Sequence, residues 1–290
     1  MNIKKNSNPK KQHYISDFYL KYFADTNSKI HIYDREKNEY RYQLTEKVAK
    51  IDNYYTLYKA NGEKDFTVDN IIGDLETQAK PIFERILKRK LINKESKKIL
   101  AQFISLFKNR TPEFEKFLED FDDKANRELE WRMPEIKDGR KPLEILFGYS
   151  GNTRETTMYV MLRMLEKMPY HLLNKDWSIL LSNNEETFIT SDNPFILIPN
   201  ETHINSRYGY GIETPGVIKC ISLSSKHCLT IWDEGTIFRY GEIGGKNIEE
   251  INCNIAINCN RFLFCNNKAT LEKIVVMTGI NEYQKGPRVV

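Results

Sequence analysis

The chain predicts an α+β fold, an antiparallel sheet from its N- and C-terminal parts packed against a mainly helical middle region. Three observations carry that expectation. Alternating apolar runs lie near the N-terminus, a 3.6-residue apolar stripe recurs over 68–168, and short β-type runs return over 177–277. No Pro/Ser-rich linker divides the 290 residues, so a single domain over 13–290 is expected, preceded by a basic arm at 1–12.

The elements follow in order. "QHYISDFYLKYFAD" spaces Tyr14, Phe18 and Tyr22 by four with Tyr19 and Phe23 beside them, an amphipathic helix that Ser16 or Asp17 can cap. "KIHIYDREKNEYRYQL" alternates around a polar turn and reads as a β-hairpin. Val68, Ile71, Ile72, Leu75, Ala79, Phe83, Ile86 and Leu87 make the first long helical stripe, with a kink expected at Pro81. Ile99, Leu100, Phe103, Ile104 and Phe107 make the second. Thr111-Pro112-Glu113 is a helix start: capping hydroxyl, proline at the first helical position, acid in the first turn. Phe114, Phe117, Leu118 and Phe121 are then expected to be that helix's buried face. Met158, Met161, Leu162 and Leu165 mark another helix, their methionines reading as core filler. Beyond Trp177, "WSILLS", "FILIP", "VIKCISLS", "CLTIWD" and "IFRYGEI" read as short strands, and "NIEEINCNIAINCNRFLFCNN" as helix then strand.

Composition narrows the classes. Net charge is +4, which neither demands nor excludes nucleic acid, although Lys4, Lys5, Lys10 and Lys11 crowd the arm. Five cysteines without a Cys-x-x-Cys pair predict reduced thiols in a cytoplasmic protein and argue against a zinc site. The apolar runs are too short to span a membrane.

Four side chains are candidates for chemistry. In "FITSDNPF", Asp192 either accepts its own downstream N–H groups in a turn or projects from a strand end into a cleft. His13, flanked by Gln12 and Tyr14 that can orient its ring, is either a packing residue or a general acid/base. Arg110, between two helices, either complements a helix dipole or clamps phosphate. Glu76 is a helical glutamate that either pairs with a cation or joins the set.

The same stretches carry a resemblance. Gln12-His13-Tyr14 with Tyr19, Leu20 and Phe23, Glu76 in "DLETQA", Arg110-Thr111-Pro112, Thr190 through Pro194, and Asn252 before the last strand resemble, in order, the domain of unknown function 4238 family, a largely bacterial group. The chain departs from it at Ser16, where the family commonly has proline, and in "ISLSSKHCLTI", which lacks two prolines. Gln12, Ser191, Asn193 and Asn252, within these motifs, are the candidate substrate-binding groups.

Taken together, His13, Asp192, Arg110 and Glu76 suit a hydrolase of phosphodiester bonds in nucleic acid. Histidine moves a proton, arginine neutralises phosphate, and Asp192, alone or with Glu76, holds a divalent metal such as Mg or orients His13. The alternative is a non-catalytic nucleic-acid- or protein-binding module, of a phage-defence or toxin system by analogy with families of this style. A third reading makes the motifs folding signatures only. The chain has no P-loop, nucleophile elbow, His-Glu-x-x-His or dinucleotide glycine loop.

Overall fold

A computed structural model describes residues 10–132, 142–147, 153–182, 185–200 and 210–281. The N-terminal part contains β1 (Lys11–His13), α1 (Asp17–Lys21), β2 (Lys29–Asp34), β3 (Glu39–Leu44), β4 (Lys50–Asp52), β5 (Leu57–Tyr58) and β6 (Lys64–Asp65). The middle contains α2 (Thr67–Leu87), α3 (Lys94–Asn109), α4 (Pro112–Arg132), α5 (Pro142–Phe147), α6 (Thr153–Lys167) and α7 (Tyr170–Leu173). The remainder contains β7 (Lys175–Ser182), β8 (Thr190–Ser191), β9 (Phe195–Ile198), β10 (Ile218–Ser224), β11 (His227–Glu234), β12 (Phe238–Ile243), α8 (Gly245–Ile257), β13 (Phe262–Cys265) and α9 (Lys268–Thr278). The fold is α+β, as the patterning predicts.

Two larger sheets organise it. One has the order β3-β2-β13-β8, so the N-terminal hairpin and the C-terminal strands share a sheet, paired antiparallel. The other has the order β12-β7-β11-β10-β9; it is antiparallel except that edge strand β12 runs parallel to β7. Strand alternation gives this second sheet two buried faces. Trp177, Ile179, Ile221, Leu223, Leu229 and Ile231 join the core shared with α1, α2, α3 and α6. Ile196, Cys220 and Cys228 point the other way, into a second core with Tyr33, Leu263 and the apolar sides of α8 and α9.

α2 continues through Pro81 as one helix. The Thr111 hydroxyl accepts the N–H of Phe114 at 3.3 Å, the cap expected at the start of α4. Ser16 precedes α1 but makes no cap bond, because its hydroxyl is drawn to Glu76. The expected burial of the α4 aromatic stripe is corrected. Leu118 is 4% exposed and packs with Leu143 and Val160, whereas Phe117 is 42% and Phe121 37% exposed. Helical spacing puts these residues on one side of α4, but α5 and α6 cover only the row through Leu118 and Phe114. The methionine stripe of α6 is buried at Met158 and Met161, as expected of core filler.

Candidate functional site

β1 hydrogen-bonds to β4 with His13 opposite Lys50, and the chain then turns into α1 through Tyr14, Ile15 and Ser16. This turn receives Arg110, the residue that closes α3. Its buried guanidinium donates from Nε to the Tyr14 carbonyl at 2.6 Å and from Nη1 to Glu76 Oε1 at 2.8 Å. Nη2 donates to the His13 carbonyl and to Ser16 Oγ, each at 3.2 Å. The Ser16 hydroxyl in turn donates to Glu76, and the Phe107 ring lies 5.5 Å from the guanidinium carbon. Burial alone would lower the pKa of Arg110, but Tyr55 and Glu76 outweigh it and the group is held above its usual value. Arg110 and Glu76 are therefore brought together, and His13 meets them through its backbone.

The His13 side chain has a different environment. Its Nε2 is buried without a hydrogen-bond partner among the described residues. Burial, then Lys50, with further help from Arg110 and Lys21 and against Asp17, lowers its pKa to about 4, so the imidazole is neutral at pH 7. Gln12 does not orient that ring. Its Oε1 accepts the Tyr55 N–H at 2.7 Å and its Nε2 donates to Thr56 Oγ1 at 3.3 Å, which stitches β1 to the segment after β4.

Asp192 lies at the end of β8. It makes neither the local turn nor an open carboxylate. Oδ1 accepts the N–H of Asn260 at 2.9 Å, and Oδ2 accepts those of Arg261 at 2.8 Å and Phe262 at 3.1 Å. Its own N–H reaches the Phe262 carbonyl at 3.0 Å, extending the β8–β13 ladder. The carboxylate thus seats the entry to β13 from nearly seventy residues away. Burial pushes its pKa up to about 6 although these N–H bonds pull it down. The local turn belongs to Ser191, whose hydroxyl accepts the Asn193 N–H at 3.1 Å and donates to the Asn193 carbonyl at 2.9 Å. Asn193 Nδ2 donates to the Asn258 carbonyl at 3.0 Å. Buried Asn252 accepts the Ile189 N–H at 2.9 Å and donates to the Thr187 carbonyl at 2.8 Å, tying α8 to the segment that leads into β8.

Asp34, Arg261 and Arg41, outside the sequence-based set, complete the picture together with Tyr14. Asp34, buried at the end of β2, accepts a bidentate pair from Arg261, both bonds 2.9 Å, and a third bond from Arg41 at 3.0 Å. Burial would raise its pKa; Arg261 and Arg41 overcome that and hold it below the usual carboxylate range. Tyr14 links the two clusters. Its carbonyl takes Arg110, while its hydroxyl, its pKa raised by burial first and then by Asp192, feels Arg261 and Asp34 as well. In sequence Asp34 stood just before a hairpin turn and Arg261 before the last strand, and only the β2–β13 register joins them.

Among the described residues, no group of three or more His, Cys, Asp or Glu side chains is placed to hold a metal ion. Asp192 and Glu76 sit in separate clusters and already accept N–H or guanidinium donors, so this pair does not fit a magnesium ion. No described helix is long and apolar enough to cross a membrane.

The family model described as protein of unknown function (DUF4238) matches residues 11–269. The chain belongs to this family. No curated protein and no solved structure matches it. The DUF4238 match runs from β1 into the first turn of α9 and so contains both the Arg110 and the Asp192 clusters.

Proposed function

We propose that the protein is a non-catalytic module that binds nucleic acid at the surface around His13. What supports this reading is the charge at the imidazole, where Lys50, Arg110 and Lys21 outweigh Asp17. Lys11 lies on the same strand and is exposed, and Lys50 stands directly opposite His13. A phosphate approaching there meets Lys11 and Lys50 beside the half-buried His13 ring. Arg110 acts behind this surface as its rigid seat, since four internal acceptors hold its guanidinium. Fluorescence anisotropy with single- and double-stranded RNA and DNA tests the reading. Binding that weakens with salt, and weakens further in Lys50→Glu and Lys11→Glu, is the expected result. No binding at low salt, or unchanged binding in both variants, would refute it.

A specific observation favours a second reading, hydrolysis of a phosphodiester bond. The neutral His13 ring, whose buried Nε2 has no hydrogen-bond partner among the described residues, is suited to proton transfer with a substrate that reaches it, and a bound phosphate would counter the cations that depress its pKa. In this reading Arg110 and Glu76 position the backbone around His13, Asp192 seats the entry to β13, and none of the three touches the substrate. Cleavage in a metal-supplemented assay, lost in His13→Ala while binding persists, would select it over the first.

A further inference from the structure

A second group of charges lies at the end of the five-stranded sheet, far in sequence from His13. Lys219 on β10 shares its row with Ile231 on β11 and Trp177 on β7, on the face turned to the helices. Its side chain is 0% exposed, and its Nζ has no hydrogen-bond partner among the described residues. Beside that row stand Lys175, two residues before Trp177, and Asp233, two after Ile231.

The carboxylates here are poor substitutes for proper acceptors. Asp233 Oδ1 is 3.6 Å from Lys219 Nζ, and Glu213 Oε2 is 3.9 Å from Lys175 Nζ. Both acids are about half exposed, and both answer to other partners. Asp233 Oδ2 accepts the Gly216 N–H at 2.5 Å, and Glu213 Oε1 meets His171 Nδ1 at 2.9 Å. Gly216 has φ +76°, where a side chain would be strained and a Cβ would lie 2.5 Å from Asn200 Nδ2. The turn that carries Glu213 beside Lys175 thus also holds Asp233 beside Lys219.

Nearby Lys97 shows what a settled lysine looks like in the same fold. It donates to the carbonyls of Leu173 and Lys175, each at 2.9 Å, and lies over the Trp177 ring. An ammonium group has three donors, and leaving them unused in the interior is costly. We infer that Lys219 and Lys175 form a binding site for a small oxyanion, a carboxylate or phosphate group, and that Asp233 and Glu213 are its internal stand-ins. A bound oxyanion supplies the hydrogen-bond acceptors that Lys219 lacks and answers two cations together. Burial first and then Lys175 lower the pKa of Lys219, and an added negative charge offsets the second of these effects.

Inorganic phosphate is the probe. Thermal unfolding and titration calorimetry would follow the full chain at rising phosphate, against chloride at equal ionic strength to separate general salting effects. We expect saturable binding in the unaltered protein or, where the internal acid competes too well, in Asp233→Asn. In either case Asp233→Asn binds phosphate several-fold more tightly than the parent. Lys219→Met and Lys175→Met lose the response while remaining folded, since methionine matches the lysine stem. A saturable response that survives in Lys219→Met, a weaker response in Asp233→Asn than in the parent, or none in either would overturn the proposal and leave an internal ion pair only.

Discussion

Arg110 and Lys219 are both buried cations, and they are treated in opposite ways. Arg110 has four acceptors around its guanidinium, two of them backbone carbonyls, while Lys219 has a carboxylate at 3.6 Å and no hydrogen bond among the described residues. A saturated buried charge is a device for fixing backbone: remove it, and the acceptors at Tyr14, His13 and Glu76 lose their donor. An orphaned one contributes little to the native state and has capacity left for a ligand. The difference separates residues that build this fold from residues that await something.

The largest expected effect tests whether the first kind ties the two ends of the chain together. Because β13 lies between β2 and β8, a fragment beginning at residue 170 would lose the whole β2 edge of its sheet. We expect it to be unfolded by circular dichroism and rapidly degraded in limited proteolysis. A stable, cooperative fragment would show that the N-terminal hairpin is dispensable and that the chain is not a single domain.

Next in size is Asp192→Asn. Asparagine keeps one acceptor oxygen but turns an NH2 toward backbone N–H groups that the second carboxylate oxygen now satisfies. A loss of about 2–3 kcal/mol in urea unfolding is expected from unsatisfied buried donors. Unchanged stability would mean that the three bonds to residues 260–262 do little for the fold and would return Asp192 to the list of open site groups.

Titration of His13 is smaller and has a definite sign. Its folded pKa, about 4, lies below the ordinary value of 6.5, so its contribution to stability is present above 6.5 and is lost as pH falls towards 4. Asp192, raised to about 6 from 3.8, works oppositely, its contribution fading as pH rises through that range. In His13→Gln the acid-side slope of stability should become less positive, by at most about 1.4 kcal/mol per pH unit. An identical slope in parent and variant would mean that the ring is solvated. Smallest of all is Phe117→Ala, which should change stability by less than about 1 kcal/mol because the ring is exposed. A loss of several kcal/mol would restore the buried stripe that helical spacing suggests.

The fold class was legible because its signals are local. Alternation in "KIHIYD" and the stripe from Val68 to Ile86 each reflect one element facing one core. The motif residues were legible as special, but their use was not. Asp192 looked like a turn-former or a cleft carboxylate since its partners, the N–H groups of residues 260–262, come from a strand brought beside it only by the sheet. Arg110 looked available for phosphate because nothing in "KNRTPE" reveals that the β1–α1 turn will be laid across it. Phe117 shows the converse limit, for periodicity finds a face and not what covers it. Lys219 did leave a trace: in "VIKCISLS" it shares the parity of Ile221 and Leu223, an inward position where a lysine calls for a partner.

The contrast between the two buried cations is tested most directly by urea unfolding of Arg110→Met and Lys219→Met side by side. We expect Arg110→Met to lose about 3–5 kcal/mol, as when one partner of a buried charge network is removed, with Arg110→Lys falling between it and the parent. Lys219→Met should match the parent within about 1 kcal/mol or exceed it, since methionine removes an orphaned charge and keeps the packing. Equal losses in the two variants, or a tolerant Arg110 with an intolerant Lys219, would contradict the division of this molecule into residues that hold the fold and residues left open for a ligand.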